Sequence, residues 1–155
     1  MPDVNCWIRL IKGGRRGSGG LLRIFDHIRR HPDRFTLQLI YHADVKVRVV
    51  FSRGDFGDQS MKLLQSWETI IPDLIQLPNV QYITPEIFKG WESFDFETVK
   101  AIRAIPDEGD RIVAKYAHVI QSDMLLSSGV TGLLINQEMG DENKTGLSLF
   151  PLPPS

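Results

Sequence analysis

Four places along this 155-residue chain hold groups with the means for chemistry. His42 and Asp44 follow an apolar run, the position at the end of a parallel strand where a general base stands. Arg16 precedes Gly17, Ser18, Gly19 and Gly20, joining charge to bare backbone whose N–H groups can approach phosphate or sugar oxygens when a helix follows. Ser66, Trp67, Glu68 and Thr69 set two hydroxyls, an indole and a carboxylate in consecutive positions, the make-up of a polar helix start. Farther on, Glu86 and Glu92 offer carboxylates for hydroxyl groups and Trp91 a ring for stacking.

Each place also has a plain structural reading. The glycines make a flexible turn, and they lack both the P-loop lysine-serine ending and the dinucleotide spacing. Arg15 and Arg16 then serve solubility, His42 is a turn histidine, and Ser66 caps a helix that buries Trp67. Glu86 and Glu92 become surface carboxylates beside a packing aromatic. The four histidines, His27, His31, His42 and His118, are read as dispersed, without helical metal spacing, and no metal site is expected. Cys6 is the only cysteine, which excludes an intrachain disulfide and a cysteine-built zinc site; it reads as a small core residue.

The elements that must position these groups alternate strand and helix. Val4–Ile11 is rich in β-formers and ends at Lys12, Gly13 and Gly14, so it reads as a first strand. Leu21, Ile24, Phe25 and Ile28 then mark one face of a helix closed by Pro32. Residues 36–41 and 45–51 read as two strands, with 52–59 a loop crowded by turn formers. Residues 61–65 form either a short strand feeding a helix capped by Ser66 or part of a helix up to Pro72, which speaks against one unbroken helix over 61–77.

Residues 79–84 alternate as a strand, and Asp95 caps a helix through Val99, Ile102 and Ile105. Residues 111–115 read as a strand, followed by a helix along Tyr116, Val119, Ile120 and Met124 that stops at Ser127, Ser128 and Gly129. Residues 133–135 make a last strand. The expected fold class is therefore α/β, a Rossmann-like, mostly parallel sheet flanked by helices over 1–137, with 138–155 a flexible tail or interdomain linker.

Composition bounds the partners. A chain of this length can bury one core unaided, and 42% hydrophobic with 24% charged residues is ordinary globular usage. A formal net charge of −1 gives no global electrostatic case for nucleic acid or an anionic membrane. No apolar run approaches the length of a spanning helix and no signal-peptide pattern opens the chain, so no transmembrane segment is expected and a cytoplasmic location is the default.

Four stretches, in order, resemble the N-terminal, acceptor-side domain of a GT-B glycosyltransferase of the family-4 type. They are Gly17-Ser18-Gly19-Gly20 with Ile24-Phe25 and Leu39-Ile40-Tyr41; Ser66-Trp67-Glu68-Thr69 with Leu77-Pro78, Gln81-Tyr82-Ile83, Glu86 and Gly90-Trp91-Glu92; Arg111-Ile112-Val113-Ala114-Lys115-Tyr116; and Gly129-Val130 with Leu134-Ile135-Asn136, reaching Phe150-Pro151. The segment between Tyr41 and Ser66 is shorter than the family's, and Ile83-Thr84-Pro85 departs from its polar segment. The resemblance implies that the glycine-rich turn and the Trp67 segment meet at a cleft for a nucleotide-sugar and a carbohydrate acceptor. It also implies a second, donor-binding domain or chain, without which transfer is incomplete. No cofactor is expected. A non-catalytic α/β binding or assembly module meeting a separate protein is the alternative.

Overall fold

Asp3 opens the first element, and it opens a helix. Its Oδ1 accepts from the Cys6 N–H at 2.8 Å, and α1 (Val4–Ile11) follows, burying Cys6 and Trp7. This corrects the expectation of a first strand: β-formers lie here at helical spacing behind a cap, and tertiary packing decides between the two states. In the computed structural model residues 1–12, 19–127 and 149–151 are described. The glycine-rich segment therefore follows a helix rather than a strand. Gly19 and Gly20 open α2 (Gly19–Arg30), whereas Arg16, Gly17 and Ser18 lie outside the described residues.

The chain then turns into β1 (Leu37–Ile40), which passes without a loop into α3 (Tyr41–Ser52). Ile40 is still extended at φ −93° and ψ 144° while Tyr41 is already helical. Residues 45–51 are thus helical, not a strand: Ala43, Val47 and Phe51 recur every fourth residue and are fully buried along one face. Gly54 and Gly57, at φ 76° and 62°, supply left-handed backbone in the turn to α4 (Ser60–Leu74). That helix runs through Pro72 for two more residues and stops at Leu74; the proline lacks the N–H that would reach back to the Glu68 carbonyl, so it costs one helical bond.

Strand β2 (Val80–Ile83) returns beside β1 in parallel, with Leu39 opposite Tyr82 and Ile40 opposite Ile83, so α3 and α4 form the crossover of a βαβ unit. Asn79 seals its entry: the buried Nδ2 donates to the Ile28 carbonyl at 2.9 Å and to the Phe35 carbonyl at 3.3 Å. Short 3₁₀ turns at Pro85–Phe88 and Phe96–Thr98 lead to α5 (Lys100–Arg103) and α6 (Glu108–Ile120). Asp95 caps the second of these turns rather than a long helix. Residues 111–115 lie inside α6, not in a strand: Asp107 caps that helix at the Asp110 N–H, and it ends at left-handed Gln121, before the expected Ser127 stop.

β3 (Leu125–Ser127) pairs in parallel with β4 (Leu149–Pro151) and bridges Pro2 on its way. β4 falls within the stretch read from sequence as the tail; the strand expected at 133–135 lies outside the described residues. Among the described residues the fold is α/β and mainly helical, with two small two-stranded parallel sheets. One main core gathers residues from most of these elements: Trp7 meets Trp67 edge to face at 5.7 Å and Phe25 at 5.1 Å, and Phe51, Leu39, Ile40, Ile102 and Val113 belong to the same cluster.

Candidate functional site

The loop-free step from β1 into α3 sets Asp44 one helical turn beyond the strand end, where it is 7% exposed. Its carboxylate is fully engaged there. Oδ1 accepts from Trp67 Nε1 at 2.7 Å and from Arg48 Nε at 2.9 Å, and Oδ2 accepts from the Tyr82 hydroxyl at 2.7 Å. Three elements, α3, α4 and β2, therefore converge on one buried charge, which the start of α3 also favours through its unpaired N–H groups. Arg48 continues the chain of contacts outward, its Nη1 reaching Glu68 Oε1 at 3.2 Å on the exposed side. Burial, and then the bond to Asp44, push the Tyr82 phenol well above its usual range, so it stays a donor at every physiological pH.

Three of the residues singled out from sequence thus come together: Asp44, Trp67 and Glu68. They do so differently from the expectation. Trp67 is wholly buried and acts as a donor to Asp44, with no face open for stacking. Ser66 and Thr69 do not start a helix, because α4 begins at Ser60; their hydroxyls donate to the Lys62 and Gln65 carbonyls at 2.9 and 2.8 Å, one turn back. His42 stands two positions from Asp44 on α3, a spacing that points side chains apart. No hydrogen bond among the described residues joins His42 to Asp44, and the His42 Nε2 is buried without a partner.

Glu86 and Trp91 lie beyond β2, in a different place. Glu86 is exposed in the 3₁₀ turn. Trp91 packs into a ring cluster, parallel to Phe96 at 6.1 Å and edge-on to Phe94 at 5.0 Å. His118 of α6 closes that cluster, parallel to Phe94 at 5.9 Å, with its Nδ1 buried and unpaired. Sequence reasoning missed Arg48 and Tyr82. The Asp44-Arg48 spacing of four was the available signal, and it speaks only once the segment is taken as a helix.

Burial lowers the pKa of both His42 and His118, with Lys46 adding to the effect at His42. The unfolded chain titrates its histidines near the ordinary value of about 6.5. Below that pH these two groups bind more protons in the unfolded state than in the folded one, so the stability they contribute is fully present above about pH 6.5 and is lost as pH falls toward the lowered folded values. Denaturant midpoints measured between pH 7.5 and 5 are expected to fall with acidity, and His118→Gln to flatten the decline. A midpoint that rises on acidification through this window would contradict the assignment.

The fold and site define a helical α/β domain with a buried carboxylate node at the end of a parallel strand. No protein family, curated protein or solved structure compared with the chain matches it. Among the described residues no helix is long and apolar enough to cross a membrane.

Proposed function

We propose that the chain is a non-catalytic α/β binding module that meets a second protein through the outward side of α3. One observation carries this reading. Tyr41, Val45 and Val49 stand four residues apart on that helix, 46%, 36% and 39% exposed, while its opposite side buries Ala43, Val47 and Phe51. Three exposed apolar residues aligned on one side of an otherwise well-packed helix are compatible with a contact surface. Asp44 fits a supporting role beneath it, because both carboxylate oxygens accept from structural donors, Oδ1 from Trp67 and Arg48 and Oδ2 from Tyr82.

The sugar-transfer reading has one observation in its favour. Asp44, Trp67 and Glu68 gather through Arg48 at the C-terminal end of β1, the edge where an α/β sheet presents a ligand. On that reading the chain is the Rossmann-like, acceptor-side half of a GT-B glycosyltransferase. The exposed heads of Arg48 and Glu68 would meet a nucleotide-sugar or acceptor, and a donor-binding domain would complete the cleft.

A paired experiment separates the two. Sedimentation across a concentration series, alone and with candidate partner proteins, is expected to show association that Val45→Glu with Val49→Glu abolishes without changing the circular dichroism spectrum. Adding a nucleotide-sugar and oligosaccharide acceptors is expected to leave the Arg48 and Glu68 resonances unmoved and to release no nucleotide diphosphate. Movement of those resonances with turnover would replace the first reading by the second.

A further inference from the structure

His27 lies in the last turn of α2 and His31 just past its end, four positions apart. That spacing is helical, a point the sequence reading overlooked, and the backbone keeps the turn going: the His31 N–H donates to the Ile28 carbonyl at 3.2 Å. The Arg34 and Phe35 N–H groups both return to the His31 carbonyl at 3.1 Å, so the segment is tied on both sides. Asn79 fixes the same region from below through the Ile28 and Phe35 carbonyls. The two imidazole centroids are 4.5 Å apart with the rings tilted by 52°, and Phe35 backs His27 at 5.3 Å. No hydrogen bond or ion pair among the described residues engages either ring.

We propose that His27 and His31 form a two-histidine site for a late first-row divalent metal ion, Zn²⁺ or Ni²⁺, with water completing the coordination. Imidazole nitrogens bind such ions at about 2.0–2.1 Å, and two rings one helical turn apart on a held backbone can share one ion. Mg²⁺ is excluded, since it takes oxygen ligands and keeps its water.

The charges around the pair permit this. Asp26 holds Arg29 and Arg30 at 2.8 and 3.0 Å, which compensates the cations nearest in sequence on α2. Among the described residues no third histidine, cysteine or carboxylate completes a group of three, so the site is a two-point clip. Its effect is to staple the end of α2 to the turn that feeds β1, stabilising the folded state by an amount that grows with the logarithm of ion concentration.

The test uses the full chain. Paramagnetic Ni²⁺ is expected to broaden the ring protons of His27 and His31 before those of His42 and His118. Zn²⁺ and Ni²⁺ should raise the unfolding temperature in a dose-dependent way that Mg²⁺ does not reproduce. His27 is exposed and His31 half-buried, so His27→Ala and His31→Gln are expected to retain the wild-type circular dichroism spectrum and to weaken binding at least about tenfold each, because each removes one of two ligands. An equal temperature rise in the chain carrying both substitutions, or no response of the unsubstituted chain at millimolar Zn²⁺, would overturn the proposal.

Discussion

Replacing Asp44 by alanine is expected to lower the unfolding free energy by about 3 kcal/mol, read as a shift in denaturant midpoint at unchanged slope. The substitution deletes one acceptor group and leaves three donors behind. Trp67 Nε1 loses its partner in a fully buried setting, the Tyr82 hydroxyl loses its partner at the strand edge, and Arg48 retains only Glu68. The unpaired indole N–H alone costs about 1–3 kcal/mol, while the partly exposed arginine recovers water and adds less.

Asp44→Asn keeps one carbonyl oxygen but turns an NH₂ group toward another donor, so a loss of about 2 kcal/mol is expected. Tyr82→Phe removes donor and demand together and should cost about 1 kcal/mol. The result bears directly on function. A carboxylate reserved for chemistry is held at some cost to stability, and removing it leaves the fold unchanged or firmer. A loss under about 1 kcal/mol for Asp44→Ala would therefore reopen the general-base reading of this residue.

What could be read in the sequence depended on whether local pattern and burial agreed. β1 was legible because a short apolar run matches a buried strand, β2 because Val80 and Tyr82 alternate with Gln81, and 52–59 because Gly54 and Gly57 adopt positive φ there. α1, α3 and the middle of α6 were misread for a common reason. Valines and isoleucines in Val4–Ile11, 45–51 and 111–115 raise β-propensity, yet in each segment the buried residues follow helical spacing: Ala43, Val47 and Phe51 in α3, Val113, Ala114, Tyr116 and Ala117 in α6.

The caps held the better signal. Asp3 and Asp107 each stand one residue before a helix and bond its third N–H, a local rule that composition obscures. The site was half legible for a related reason. Asp44, Trp67 and Glu68 were singled out by type, but Glu68 joins the other two only through Arg48, which α3 sets one helical turn from Asp44. Tyr82 was placed in the right strand, while its partner is distant in sequence and no spacing rule reaches across a crossover.

The two core tryptophans should respond unequally to the same change. Trp7 and Trp67 are both fully buried and touch edge to face, so replacing either by phenylalanine removes a similar volume and a similar ring contact. The nitrogen makes the difference. Trp67 Nε1 donates to a buried carboxylate, whereas Trp7 Nε1 is buried with no partner among the described residues. Trp67→Phe therefore adds the loss of a charge-assisted bond, about 1.5–3 kcal/mol, to the packing loss. Trp7→Phe adds the relief of an orphan donor, which offsets part of the packing loss.

The expected costs are about 3 kcal/mol for Trp67→Phe and about 1 kcal/mol for Trp7→Phe, a gap of about 2 kcal/mol at equal burial. The first substitution is also expected to move the Arg48 and Glu68 side-chain resonances, because Asp44 is then held by Arg48 and Tyr82 alone; the second should leave them in place. Combined with Asp44→Ala, Trp67→Phe should be strongly non-additive and Trp7→Phe nearly additive, since only the former shares a bond with the carboxylate. Equal costs for the two tryptophans would mean that packing alone holds the base of α3, and that the carboxylate node contributes nothing to the face this helix turns outward.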